Sequence, residues 1–494
     1  MKVELNKRIF YLIISIQVFV LLCSSYFIRL DDAYIFYKYA KNLVEWNGYV
    51  FNLNEKINAT TSFSYTILLA LFCFPFQSNF EIALPLIGSI ISVVSLIYTA
   101  FLLTKIFSEE LKEARFILPV ILLSMPLIKN AIGMETFLKI FSMMIFLYLY
   151  QKEKFILMSL VGAFLFITRP DTIILILITS ISYFLKRKKL FDIKIISIFI
   201  IIVLTYLFAS YFYFGRVIPS SLGVKIIQRD LKLINGNFFD GFVKTFPGGE
   251  NVAIIFFTFF LFAILILCLK NKAIFKNELF QIILIYFIAF TLIYGLILNP
   301  PPYPWYYTDY IVLYSLIISF FLKIFIQKFK DGARKIFLLS AIIIIFISGL
   351  LVTFKTIKTG YNEKFILYKN TAKFINSFSG ENSKLATDEI GILGFYFKGK
   401  IIDELGLITP EAIDGIKQKN FLKIIETTKP DFVVVDFPEI PFYKSYINNL
   451  WFKNNYAQVY TLKLPLSGVR IFKRKSFDYK INSFLSSEHP TSHN

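Results

Sequence analysis

The sequence predicts a polytopic α-helical membrane protein with about eleven transmembrane helices and a small C-terminal extracytoplasmic α/β domain. Three observations predict it. Of 494 residues, 56% are hydrophobic and 17% charged, whereas soluble domains carry roughly a quarter charged. Apolar runs long enough to cross a bilayer recur through the first 360 residues. Lys and Arg collect between alternate runs, as cytoplasmic loops require, which explains the net charge of +20 without nucleic acid as a partner. The transmembrane catalytic part is expected over 1–360 and the second domain over 361–494, ending in a disordered tail.

The first run, 9–28, follows Lys2, Lys7 and Arg8. No small-x-small cleavage site succeeds it, and Leu22 before Cys23 does not suit a lipoprotein signal. It is therefore expected to be a retained helix with its N-terminus in the cytoplasm. The loop 29–62 is then outside. The piece 63–76, ended by Pro75, is short for a crossing and is expected to be re-entrant or interfacial. Ten further spans are expected at 82–103, 116–127, 137–150, 155–168, 172–185, 193–212, 252–269, 279–298, 310–325 and 336–354. Several are only about fifteen residues, so their outer loops are expected to dip below the membrane surface, shielded by neighbouring helices. An odd number of crossings puts everything after about Lys355 outside. The expected location is a bacterial plasma membrane, multi-pass.

Beyond 362 the long apolar runs stop. The pattern reads as a helix at 365–377, strands at 384–391 and 400–403, a helix at 410–428 and a buried strand at 432–436. A hairpin follows at 456–462 and 468–472, and the stretch after about Ser483 reads as disordered. Strands alternating with helices predict a small α/β domain.

The residue inventory narrows the chemistry. Cys23, Cys73 and Cys268 all lie in apolar runs, as small hydrophobes do, and form no disulfide or zinc pattern. His489 and His493 sit in the polar tail. Proton transfer therefore falls to Asp, Glu, Lys or Tyr. The sequon at Asn58 is expected to be a chance match.

Charge near hydrocarbon needs a reason. Asp31 and Asp32, Glu135, Arg169, Asp171, Lys225 and Trp305-Tyr306-Tyr307 all fall on the outer side of the expected topology, which is the pattern of a single extracytoplasmic active site. One aspartate would take a proton from an acceptor hydroxyl. The other would hold it, raise its pKa by repulsion, or bind a divalent cation. The plain alternative is a hydrated loop end or helix cap. Tyr34, Tyr37 and Tyr39 extend the aromatic surface a sugar would meet. Arg169 has a fork of donors suited to phosphate, or pairs with Asp171. Lys225 is a second phosphate candidate, or a surface lysine. Glu135 is a supporting acid or metal ligand alongside Asp32, or a carboxylate at a helix N-terminus. Trp305, Tyr306 and Tyr307 form a wall for sugar or lipid, or an interfacial aromatic belt.

The stretch from Asp31 to Asn52, with Asn58-Ala-Thr-Thr-Ser62, resembles the first outer loop of the GT-C membrane glycosyltransferases. It is closest to the arabinofuranosyltransferase-like branch, with protein O-mannosyltransferases and lipid A aminoarabinose transferases as relatives. The likeness continues at Gly133-Met-Glu-Thr136, Thr168-Arg-Pro-Asp171, Tyr213-Phe-Gly215 with Pro219 and Lys225, and Pro304-Trp-Tyr-Tyr307. It extends to Thr387-Asp-Glu-Ile-Gly391 and Ile402-Asp-Glu-Leu-Gly-Leu407. It departs at Ser220-Ser221, where the family often has Asn-Thr or a similar pair.

The resemblance implies an inverting glycosyltransferase. It would move a sugar from a polyprenyl-phosphate carrier to a hydroxyl of a cell-envelope glycan, lipid or protein acceptor on the outer face of the membrane. The first-loop acid corresponds to the family's catalytic base, carried to Asp31 first and Asp32 second. A divalent metal ion is the candidate cofactor. Rival classes are a transporter or flippase of lipid-linked sugars, which would show charges inside its spans, and a non-catalytic envelope assembly protein.

Overall fold

The computed structural model describes residues 7–231, 236–358, 363–439, 441–465 and 467–477. His489, His493 and the stretch after Ser483 lie outside them. The chain divides into two compact units: Met1–Tyr49 with Asn58–Asn362, and Val50–Ile57 with Glu363–Asn494.

The first unit is helical throughout. It begins with α1 (Lys7–Phe27), α2 (Asp31–Val44), α3 (Phe63–Cys73), α4 (Phe80–Ile106), α5 (Ser108–Leu111), α6 (Ile117–Leu123), α7 (Thr136–Gln151) and α8 (Phe155–Thr168). It continues with α9 (Ile173–Arg187), α10 (Ile193–Phe214), α11 (Ser220–Asp230), α12 (Phe238–Lys244), α13 (Glu250–Lys270), α14 (Glu278–Leu292), α15 (Ile311–Ile326) and α16 (Asp331–Lys358). Among the described residues, seven helical segments are long and apolar enough to cross a membrane. They centre on α1, α3–α4, α10, α13, α14, α15 and α16, with α7 and α8 as shorter apolar helices. Large apolar side chains such as Phe19 on α1, Phe208 and Phe212 on α10 and Leu261 on α13 point outward, as lipid-facing residues do.

Two short runs show why apolar length alone misleads. The run 116–127 yields only the seven-residue α6, because Pro126 starts a separate 3₁₀ turn at Pro126–Ala131. All of α6 except Pro119 is buried, and α4, α15 and α16 pack on it. It is a core helix about 10 Å long, too short to span. Likewise α3 has 11 residues, capped by Ser62, which accepts the Tyr65 amide, and rises only about 16 Å. A 3₁₀ turn carrying Pro75 then leads into the 27-residue α4.

The second unit is a five-stranded mixed sheet in the order β2-β1-β3-β5-β4. The strands are β1 (Lys384–Thr387), β2 (Lys400–Asp403), β3 (Phe432–Phe437), β4 (Tyr456–Lys463) and β5 (Gly468–Arg474). β1 runs parallel to both β2 and β3, while β5 is antiparallel to β3 and β4. The helix α17 (Glu363–Asn376) precedes the sheet. The expected helix at 410–428 is two, Ala412–Lys417 and Leu422–Thr428, because Lys419 between them takes a left-handed φ of 54°. Two short helices, Pro441–Ile447 and Leu450–Asn455, join β3 to β4.

Residues 50–57 of the first loop belong to this second unit. The Asn52 amide donates to the Ile401 carbonyl at 2.9 Å and accepts the Ile401 amide at 3.0 Å. The side chain thereby does for β2 what a neighbouring strand would, and covers a sheet edge. Phe51 is buried against Gly394, where a Cβ would come within 2.5 Å of its ring. Glu55 pairs with Lys400.

Candidate active site

The site is built on α2. Its N-cap, Leu30, is extended and supplies no side-chain cap. The first turn carries Asp31 and Asp32, where a carboxylate is favoured by the positive end of the helix dipole. Both are half-buried. The rest of the first turns of α2 is apolar and aromatic: Ala33 to Tyr37, Tyr39 and Ala40 are all buried.

These buried residues fix the next component. Tyr37 and, from α3, Tyr65 both donate to the Gly133 carbonyl, at 3.3 and 2.6 Å. The Gly133 amide donates to Ser92 of α4 at 3.0 Å. Gly133 has φ +79°, and a Cβ there would sit 2.4 Å from the Tyr37 hydroxyl and 3.5 Å from the Ala33 methyl. Only glycine lets this turn lie so close to the start of α2.

The turn delivers Glu135, which is fully buried. Its Oε1 accepts from Thr61 at 2.9 Å and from Arg169 Nη1 at 3.0 Å. Arg169 Nη2 reaches Asp171 at 2.9 Å, and the Tyr294 hydroxyl donates to the same carboxylate oxygen at 2.7 Å. One helical turn beyond Glu135, Lys139 is paired with Asp309, both 2% exposed. Glu135, Arg169 and Asp171 thus form one buried network.

A second cluster adjoins it through aromatic rings. Tyr294 and Tyr306 lie 5.2 Å apart, centroid to centroid. The Lys225 ammonium of α11 stands 5.3–5.4 Å from the rings of Tyr303, Trp305 and Tyr306, within cation–π range. α11 is tied down at both ends. Ser220 donates twice to the Asn58 carbonyl, and Arg229 donates to the Leu298 carbonyl at 2.8 Å. Asn58, in the sequon, is itself buried, its side chain accepting from Thr60.

Tyr34 and Tyr307, expected to meet substrate, are 1% exposed. Tyr34 packs edge-on against Tyr37, and Tyr307 donates to the Phe238 carbonyl at 2.6 Å. Tyr307 is committed to packing, and the Tyr34 hydroxyl is buried. Tyr37 and Tyr39 are core residues too. As to a metal, no group of three or more His, Cys, Asp or Glu is gathered for one among the described residues, and Glu135 spends one carboxylate oxygen on Thr61 and Arg169. The other Glu135 oxygen is buried without a hydrogen-bond partner among the described residues, which leaves Glu135 one oxygen to offer a cation.

Sequence reasoning placed the charges in loops and missed Lys139 and Asp309. The signal was there: Lys139 sits inside the run 137–150 and Asp309 one residue before the run 310–325, and a charge in a span is a prompt to look for its partner.

Beside these clusters lies an apolar cavity of about 750 Å³ between the end of α2, α3, α8 and α10. Tyr49, Phe63, Ile67, Ile167, Tyr206 and Tyr213 are among its lining.

A family model described as a domain of unknown function, DUF8728, matches residues 356–481. No curated protein matches the chain. Among solved structures, ArnT from Cupriavidus metallidurans bound to undecaprenyl phosphate aligns with a TM-score of 0.62 at 10% identity, over 94% of this chain and 98% of ArnT. The fold is GT-C. ArnT in the apo state aligns at 0.58, with 10% identity and coverage of 94% and 97%. The Archaeoglobus fulgidus oligosaccharyltransferase, in complex with Zn and sulfate, aligns at 0.50 with 13% identity, over 86% of this chain and 68% of that one. In the GT-C framework of this chain, the first-loop helix, the Gly133 turn, the Arg169 turn and α11 with its aromatic partners all belong to the membrane unit.

Proposed function

We propose that the protein is an inverting glycosyltransferase. It would take a sugar from a polyprenyl-phosphate carrier and place it on a hydroxyl of an envelope glycan, lipid or protein. The observation that carries this reading is the pair Asp31-Asp32 at an N-terminus clamped through Gly133 to the turn bearing Glu135, on the GT-C fold. Support comes also from the ArnT structure, which carries undecaprenyl phosphate, and from the apolar cavity near α3 and α10, suited to a prenyl chain.

In the proposed reaction one aspartate accepts the proton of the acceptor hydroxyl. The freed oxygen attacks the anomeric carbon from the face opposite the carrier, and the carbon–oxygen bond to phosphate breaks with its electron pair leaving on the phosphate. The products are an inverted glycoside and the polyprenyl phosphate. The phosphate is already a fair leaving group, so the chain must supply a base and positive charge rather than a strong acid. Arg169, bonded to Glu135 and Asp171, would act by holding the Glu135 turn, and Lys225 with Trp305 and Tyr306 would bound the sugar or carrier. The active site and the α/β unit are proposed to face the extracytoplasmic side.

Transport of a lipid-linked sugar is the second reading, favoured by one observation, the Lys139–Asp309 pair inside the helices. One experiment separates the two. Purified protein in liposomes is given labelled polyprenyl-phosphate sugars and acceptor, and both transfer and translocation are followed. Asp31→Asn and Asp32→Asn should lower transfer, with the stronger loss on the order of a hundredfold or more. Wild-type transfer by both variants, or translocation without transfer, overturns the proposal.

A further inference from the structure

The proposed reaction needs a cation where the phosphate departs, and the cations first suggested by the sequence are engaged elsewhere. Arg169 is held by two carboxylates, and Lys225 faces three aromatic rings. On α2, Lys41 lies 3.8 Å from Glu45. Lys38 is different. It is half-buried, and among the described residues no carboxylate lies within ion-pair distance of it.

Its position on the helix is specific. Asp31, Lys38, Lys41 and Glu45 follow one another at spacings of 7, 3 and 4, which is one helical face. None of the four is buried; Tyr34, three residues after Asp31 and four before Lys38, lies on the same face and is 1% exposed. Asp32 lies about 100° round the helix from Asp31, so Asp31 is the acid that shares the face of Lys38. Burial and the neighbouring Lys41 pull the Lys38 ammonium down to about 8, with Glu45 opposing. That is the environment of a cation lacking a counter-charge, which an anionic ligand would supply.

The separation also matches the chemistry. Seven residues of helix rise about 10 Å. An in-line displacement spans somewhat more, about 12–13 Å, and the long Lys38 stem can cover the difference. It takes about 2.7 Å from the carboxylate to the acceptor oxygen and about 3 Å from there to the anomeric carbon. The breaking bond, the phosphate and a hydrogen bond of about 2.8 Å to the cation complete it.

We propose that Lys38 binds the phosphate of the carrier lipid and receives its charge as the sugar leaves, with Asp31 as the base on the same face of α2. This rests on the glycosyltransferase reading and adds a residue to it. The proton moves to Asp31, the electron pair moves to the phosphate oxygen, and Lys38 forms no covalent bond.

The test uses full-length protein in lipid nanodiscs, with undecaprenyl phosphate as the probe and native mass spectrometry as the binding readout. Lys38→Ala should weaken binding about tenfold or more, as expected for loss of a charge-assisted hydrogen bond. Lys38→Arg should retain it, and Lys41→Ala should stay within about twofold of wild type. Asp31→Asn should still bind the lipid while losing transfer. In the transfer assay Lys38→Ala should raise the donor KM. If Lys38→Ala does not reach wild-type melting behaviour, Lys38→Gln, which keeps the stem, is read in its place. Undiminished lipid binding by the neutral variant, in a protein whose wild type transfers sugar, overturns the role of Lys38 alone. A wild type that neither binds the lipid nor transfers sugar overturns the underlying reading as well.

Discussion

In the membrane unit, Arg169 bonds Glu135 and Asp171, and Lys139 bonds Asp309. In the α/β unit, three carboxylates are met instead by phenols. Tyr443 donates to Asp388, Tyr446 to Glu404 at 2.9 Å, and Tyr368 to Asp436 at 2.9 Å. Both units bury acids, but the membrane network neutralises its own with cations, whereas these three receive hydrogen bonds; elsewhere in the α/β unit buried Asp431 does pair with Arg474, at 2.6 Å. The difference follows from surroundings. Between apolar helices an uncompensated charge costs several kcal/mol, so each acid is matched. At the ends of β1, β2 and β3 the acids sit near one another, and burial with mutual repulsion raises their pKa.

The largest effect should come from unpairing the membrane network. Arg169→Ala leaves Glu135 and Asp171 buried without their cation and should cost about 3–5 kcal/mol. Thermal melting in detergent reads this directly, and a shift indistinguishable from wild type would remove the pairing argument. The companion experiment replaces both members of the other pair. Lys139→Met with Asp309→Leu should melt close to wild type, while Lys139→Met alone should not. Equal losses in the double and single variants would mean that the pair is needed for itself rather than for mutual neutrality.

A smaller effect is expected where the α/β unit relies on neutral hydrogen bonds. Asn52→Ala removes both bonds to Ile401 and should cost about 1–3 kcal/mol. Hydrogen exchange of β2 in the full chain should rise, while exchange in β5, three strands away in the order, should not. Uniform change across the sheet would show that residues 50–57 do more than cover an edge.

These residues also show what was legible in the sequence and what was not. The membrane class, most helices and the β4–β5 hairpin follow from local apolar pattern, which each segment carries by itself. The Asp31-Asp32 pair is legible for a similar reason, as charge stands out at the edge of an apolar run. Lys38, proposed above as the phosphate ligand, does not stand out, because in sequence it is one lysine among many; helix geometry and partial burial set it apart. The docking of Asn52 on Ile401, 349 residues away, leaves no local trace, since an asparagine in a loop looks the same whether solvated or bonded to a strand edge. Tyr34 and Tyr307 show the converse, since both are buried in the structure. Their hydroxyls suggested a sugar surface, but a tyrosine is large enough to be core whenever one partner satisfies its oxygen, as the Phe238 carbonyl does for Tyr307.

The smallest expected effect separates the two units by pH. Burial, with the charges of Glu389 and Asp436 beside it, raises Asp388 to about 8, and burial with Glu389 raises Asp436 to about 6. In the unfolded chain both would titrate near 4. The folded α/β unit therefore holds protons that the unfolded chain has released across this interval. Its stability is fully present below about pH 4, declines as pH rises, and levels off above about pH 8. Asp388 is half-buried, so partial solvent screening makes this a gentle slope rather than a collapse. Hydrogen exchange of the β1 and β3 amides, corrected for intrinsic rates, should show weaker protection at pH 8 than at pH 5. Asp388→Asn and Asp436→Asn should each flatten the profile, because a carboxamide releases no proton in this range. Protection that is flat with pH in the wild type, or a slope unchanged in both variants, would mean that these carboxylates are already neutralised in the folded unit, and the contrast with the membrane network would fall.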